Sequence, residues 1–272
     1  MFVALAMASL AATFTPPPGR DAGVLKDAVT VREPDPARAV LYQGRGIKLT
    51  EQGKHEAAIE QFRRAATYDP ANAGTYVNMA YCFDRLGRFE EAITELKNAE
   101  KLDPKNAMIY VNWGNSLINS RRYEEALTPL GRATELDPSN RLAYVNLAAA
   151  LTKLGRPKDA AEKLGKAVAM DSDNAQLQFN LAVLLSEAGE PRRALTAYER
   201  VIALEPKNLS AYFNCAALHE KLGDLDLAIE KIRTASEIEP DNNMLREILG
   251  RLLAVKRQQA PKIESPAAAT TH

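Results

Sequence analysis

Acidic–proline pairs recur in this chain at a fixed step of 34 residues, ending at Pro70, Pro104 and Pro138 and again at Pro206 and Pro240. The missing beat is Asp171-Ser172, which falls where the step requires it. A repeat this short cannot bury its own apolar face, so the fold must be a stack of like units that bury one another. Six copies stand in register, at 39–72, 73–106, 107–140, 141–174, 175–208 and 209–242.

Each copy holds two helical patterns. In the second copy Tyr76, Met79, Ala80 and Phe83 recur at i, i+3, i+4 and i+7, one face of a helix. Gly87 interrupts the pattern, and Phe89, Ala92, Ile93, Leu96 and Ala99 form a second amphipathic stripe before Pro104 ends the unit. Asn72, Asn106, Asn140, Asn174, Asn208 and Asn242 close the copies just before the next first helix. Asparagine there is a preferred N-cap, worth roughly 1 kcal/mol. Residues 243–257 place Leu245, Ile248, Leu249 and Leu252 on one face and Arg246, Arg251, Lys256 and Arg257 outside it, a pattern that suits a helix capping the last unit.

The recurring positions resemble the tetratricopeptide repeat (TPR). The first helices carry Tyr42, Tyr76, Tyr110, Tyr144 and Tyr212, and four places on Gly46, Ala80, Gly114, Ala148 and Ala216. The second helices carry Ala58, Ala92, Ala126, Ala160, Ala194 and Ala228. The resemblance covers residues 39–242, three quarters of the chain. It implies an all-α, right-handed superhelical solenoid of six helix–turn–helix units, with the first helix of each unit lining the concave wall. Four departures stand out. Gln178 replaces the aromatic and Ser172 the proline, which predicts the loosest junction between the fourth and fifth units. Arg121 replaces the turn glycine of the third unit, and Pro129 falls inside its second helix, where it should kink the chain.

Lysine plus arginine equals aspartate plus glutamate, 35 each. That balance gives no support to a nucleic-acid binder, which needs a clustered excess of Lys and Arg, and argues against electrostatic attachment to an anionic membrane. The two cysteines, Cys82 and Cys215, lie four units apart and read as small apolar fillers. The apolar N-terminus before Pro16 is shorter than the ~20 residues a membrane span needs. Its length and small residues fit a signal peptide for export to the cell envelope, although no Lys or Arg precedes the run; a plain cytoplasmic N-terminus is the other reading. The organisation expected is therefore a terminal segment and Pro-rich linker over 1–38, six units over 39–242, a cap over 243–257 and a low-complexity tail over 258–272.

Catalytic chemistry finds no foothold. His55, His219 and His272 lie too far apart in the repeat to converge, and Cys215 with His219 supplies two ligands where a closed zinc site needs four. Acidic pairs such as Glu90-Glu91 and Glu124-Glu125 open second helices, where they complement the helix dipole. No phosphate loop is present, and no cofactor or metal is expected.

One polar residue is out of place in the first helices. Asn78, Asn112, Asn146, Asn180 and Asn214 stand one per unit in otherwise mostly apolar runs. Val77, Val111, Val145, Phe179 and Phe213 precede them, and Tyr81, Asn115, Ala149, Val183 and Ala217 follow three places on. Residues at i and i+3 share a face, so these form parallel tracks beside the core stripe. An unpaired buried amide would cost about 1–3 kcal/mol, so the asparagines are expected on the groove side. A primary amide offers two donors and an acceptor and can pair with the backbone of an extended peptide. The row is similar to the asparagine ladder of the O-GlcNAc transferase TPR domain. The competing reading is that each asparagine bonds the backbone of its neighbour. The carboxylate clamp of chaperone-binding TPR domains is absent: Asn115 and Asn146 fit it, but Val111, Gln176 and Asn180 stand at its basic positions. Further along the wall Glu51, Asp84, Arg85, Lys153, Glu187, Glu220 and Lys221 mix both signs. The function expected is a scaffold that holds a protein or peptide segment, with Asn78, Asn112, Asn115, Asn146, Asn180, Asn214, the Val/Phe track and Tyr81 as its contacts. Two alternatives are a self-assembling homo-oligomer and a regulatory module of an enzyme on another chain.

Overall fold

The computed structural model describes residues 34–259 as thirteen α-helices, with no strand among the described residues. The first helices of the units are α1 (Pro36–Glu51), α3 (Ala73–Arg85), α5 (Ala107–Asn119), α7 (Arg141–Lys153), α9 (Ala175–Glu187) and α11 (Leu209–Leu222). The second helices are α2 (His55–Tyr68), α4 (Phe89–Leu102), α6 (Tyr123–Leu136), α8 (Pro157–Met170), α10 (Pro191–Leu204) and α12 (Leu225–Ile238), and α13 (Asn243–Gln259) closes the stack. Each helix packs on its sequence neighbours, the arrangement of an all-α TPR solenoid. None of the described helices is long and apolar enough to cross a membrane. The signal-peptide reading and most of the C-terminal tail lie outside the described residues.

Two boundaries differ from expectation. The first helix begins at Pro36, three residues before unit one was expected to start, because the Asp35 side chain caps it by accepting from the Arg38 N–H at 3.1 Å and proline is tolerated in a first turn. The last helix runs to Gln259, two residues beyond the expected 257.

All six cap asparagines act as such, their Oδ1 atoms accepting from backbone N–H groups two or three residues on at 3.1–3.3 Å. Four also donate through Nδ2 to the acid that opens the turn: Asn106 to Asp103, Asn174 to Asp171, Asn208 to Glu205 and Asn242 to Glu239. In these four units the acidic residue that opens the turn thus fixes the cap that follows it.

The six recurring alanines of the second helices, Ala58, Ala92, Ala126, Ala160, Ala194 and Ala228, are fully buried at 0 % exposure, as close helix contact requires. A Cβ added at Gly114 would overlap Cγ of Leu130, so the third unit has no room even for alanine there. Five inter-helix turns place glycine in the left-handed region, and the sixth holds Arg121 there at φ 63°.

The tyrosine of the first helix also has a polar task. The hydroxyls of Tyr76, Tyr110 and Tyr212 donate to the carbonyls of Pro70, Pro104 and Pro206, six residues earlier, at 3.1–3.3 Å. Gln178 reproduces the bond, its Nε2 donating to the Ser172 carbonyl at 3.0 Å, and Arg246 of α13 does so to Pro240 at 2.7 Å. Tyr42 and Tyr144 lie beneath cations of their second helices, Arg64 at 5.8 Å and Lys166 at 5.5 Å from the ring centroids. Gln178 has no such ring, and Arg200 pairs instead with Asp173. The junction between units four and five thus keeps a hydrogen bond and an ion pair across it despite Gln178 and Ser172, and Arg141 of α7 pairs with Asp171 within unit four. Pro129 is buried within α6, which runs unbroken from Tyr123 to Leu136.

The concave groove as candidate functional site

Successive first helices approach one another, α1 to α3, α3 to α5 and α5 to α7, whereas successive second helices make no comparable contact. The first helices therefore line the inner, shorter-radius wall, and the core between the two rows dictates which of their side chains reach it. Tyr144, Leu147, Ala148 and Leu151 of α7 are buried, Val145 and Asn146 are half-buried and Ala149 is exposed.

The asparagine row follows that rule. Asn78, Asn112, Asn146 and Asn214 are half-buried and Asn180 is exposed; none is enclosed in the core. Their engagement differs along the row. Asn214 faces the hydroxyl of Tyr198, whose pKa burial pushes up to about 12 against the lowering effect of the amide. Asn180 accepts from Gln176 Nε2 at 2.9 Å. The side chains of Asn78, Asn112, Asn115 and Asn146 make no hydrogen bond among the described residues, so the reading in which each bonds its neighbour's backbone does not describe them.

The apolar track is less uniform. Val111 is buried, packed with Tyr110, Ala133 and Ala143, and forms wall rather than contact surface. Val77, Val145 and Phe179 are half-buried against the core, Phe179 meeting the Tyr198 ring edge-on at 5.5 Å. Phe213 is 36 % exposed and Tyr81 51 % exposed. Sequence reasoning missed Met108, Leu142 and Met244, exposed apolar residues at the second position of α5, α7 and α13. Their shared place in the repeat was the available signal, obscured because the core stripe begins one residue later.

Three recesses mark the groove. One of about 250 Å³ between α3 and α5 is lined by Tyr81, Asp84, Arg85, Asn112, Asn115 and Asn119. Here the Asp84 carboxylate accepts from the Ser116 hydroxyl through Oδ2 at 2.7 Å, while its enclosed Oδ1 has no partner. Burial raises its pKa, against the opposing effect of Ser116. A second recess, about 330 Å³ between α7 and α9, is walled by Val145, Ala148, Ala149, Val183 and Leu184 and floored by Leu164. A third, also about 330 Å³, lies among Phe179, Leu209, Phe213 and Met244 toward the C-terminal end. The groove is thus polar in units two and three and apolar from unit four onward. Glu51, Arg85, Lys153, Glu187 and Lys221 form no ion pair among the described residues.

The groups that could do chemistry are dispersed. Cys82 and Cys215 are buried free thiols in units two and six, and burial pushes the Cys215 thiol up to about 11, far from a reactive thiolate. His219 is buried with Nδ1 3.6 Å from the Asp224 carboxylate, and His55 opens α2 with its ring edge-on to Tyr81. Among the described residues no group of three or more His, Cys, Asp or Glu side chains could hold a metal ion.

A stack of helix pairs with an accessible inner wall defines an interaction solenoid. Two tetratricopeptide-repeat family models match the chain, one at residues 49–111 and 151–201, the other at 111–175 and 179–243. The chain belongs to the tetratricopeptide-repeat family, whose fold serves protein–protein interaction. Among solved structures it is similar to YrrB, described as a TPR protein with an unusual peptide-binding site, at 25 % identity and TM-score 0.59, covering 72 % of this chain and 97 % of that one. It is also similar in fold to PilF of Pseudomonas aeruginosa, at 22 % identity and TM-score 0.58 over 79 % and 98 % of the two chains. MamA of Desulfovibrio magneticus RS-1 matches at 22 % identity and TM-score 0.57, over 63 % and 97 %. No curated protein sequence matches the chain.

Proposed function

We propose that this chain is a non-catalytic scaffold that holds an extended segment of a partner protein in its concave groove. The observation that carries the reading is the set of groove amides without internal partners: Asn78, Asn112 and Asn146, spaced by the repeat along one wall, and Asn115 one turn on from Asn112. Such amides pair with peptide N–H and C=O groups whatever the side chains, while the recesses select among them. The printed description of YrrB, a peptide-binding TPR protein of similar fold, supports the same use of the groove. Replacing Asn112, Asn146 and Asn180 with alanine is expected to abolish peptide capture from a random-sequence display library while circular dichroism stays unchanged. Undiminished capture by the triple variant overturns the reading.

Self-assembly through the ends is the weaker alternative. At the C-terminal end α13 packs on α12 through buried Leu245 and Leu252 and leaves Arg246, Arg251, Lys256 and Arg257 exposed. At the N-terminal end, Arg45 and Lys48 of α1 occupy the register of Met79 and Cys82, which in α3 are buried.

A further inference from the structure

We infer that the recess between α7 and α9 is an anchor pocket for one aliphatic side chain of the bound segment, flanked by a charge pair that sets which way the segment runs. The inference rests on the groove reading above and adds a ligand class to it. The pocket exists because unit four carries Ala149 where units two and three carry Tyr81 and Asn115. The small side chain leaves open a volume of about 330 Å³ that reaches down to Leu164 of α8, itself only 4 % exposed. Val183 of α9 forms the opposite wall, so the cavity is aliphatic and lacks the aromatic faces that would favour a planar ring. Asn180 stands at its edge, in place to hold the backbone of whatever enters.

Two opposite charges border the same recess. Lys153 comes from α7 and Glu187 from α9; both are exposed, and neither forms an ion pair among the described residues. They occupy the same position of consecutive units, so they succeed one another along the groove. A segment with an acidic residue on the Lys153 side of its aliphatic anchor and a basic residue on the Glu187 side satisfies both, and the reversed segment meets like charge twice. The occupant is therefore an extended peptide of the pattern acidic–aliphatic–basic, read in one direction only.

The test uses a phage-displayed library of random dodecapeptides selected on the full-length protein, its Ala149→Leu variant, a Lys153→Glu/Glu187→Lys double variant and an Asn112/Asn146/Asn180→Ala variant. All the pocket substitutions are at exposed positions and leave the core intact. The wild type is expected to enrich Leu, Ile or Met between an acidic and a basic residue. Filling the pocket in Ala149→Leu is expected to weaken binding of a selected peptide by at least about tenfold, the worth of one buried aliphatic side chain. The charge-reversed variant is expected to invert the flanking preference. Enriched peptides that depend on the asparagines but show no aliphatic anchor, or that bind Ala149→Leu unchanged, overturn the inference and leave the groove reading standing. An unaltered flanking preference in the charge-reversed variant overturns its directional part. Peptide capture indifferent to the asparagines overturns the groove reading and the inference with it.

Discussion

At the scale of single residues, two substitutions in the repeat carry a measurable cost. Arg121 holds a left-handed conformation that glycine adopts in the other five turns. Glycine in its place relieves the strain but loses more freedom on folding, and the balance favours Arg121→Gly by about 0.5–1 kcal/mol in chemical denaturation. A destabilised variant would mean that the Arg121 side chain does something its geometry does not disclose. Asp84 is the second. Burial raises its folded-state pKa above the ordinary aspartate value, so in the window between those two values the native state binds more protons than the unfolded chain. Stability is then greatest below the ordinary value and falls as pH rises through the folded one. Asp84→Asn keeps an oxygen for the Ser116 hydroxyl and removes the buried charge, so it is expected to flatten that part of the stability profile without lowering stability at neutral pH. A profile unchanged by the substitution contradicts this assignment.

At the scale of elements, α13 substitutes for a seventh unit. Its Leu245 and Leu252 bury against Tyr212, Leu225, Ile229 and Ile232, and removing residues after 242 exposes that surface. Loss of the two leucines alone costs roughly 3–6 kcal/mol, and the shortened chain is expected to melt earlier and to associate with rising concentration in light scattering. Unaltered melting would mean that α13 is not the cap. Helix existence and pairing were legible in the sequence because period and cap agreed at every unit, and the breakers at all but Arg121 and Ser172. What escaped was compensation. Gln178 looked like a lost aromatic, yet its amide makes the hydrogen bond that the hydroxyls of Tyr76, Tyr110 and Tyr212 make, so a donor serves that position without a ring. Likewise the helix start at Pro36 depends on Asp35, a cap outside the repeat pattern.

For the whole molecule, the same residue type appears in two rows with opposite roles. The asparagines that end each unit are consumed as caps, while those within the first helices stand on the concave wall with several amides unengaged. The groove row was readable from periodicity, since a residue beside the core stripe must face one side of it. Depth was not readable. Val111 is buried where Val145 is only half so, and the aliphatic recess depends on Ala149 and Leu164, which belong to different helices. Which residues close over a position is a property of the stack, and no local pattern carries it.

Whether the inner asparagines grip a bound peptide is read from their own side-chain amide signals. In a titration of isotope-labelled protein with a library-selected peptide, the NH₂ resonances of Asn112 and Asn146 are expected to shift saturably, while those of the capping Asn72 and Asn140 stay in place. Shifts confined to the second helices, or equal movement of both asparagine rows, would mean that the inner asparagines do not hold the peptide.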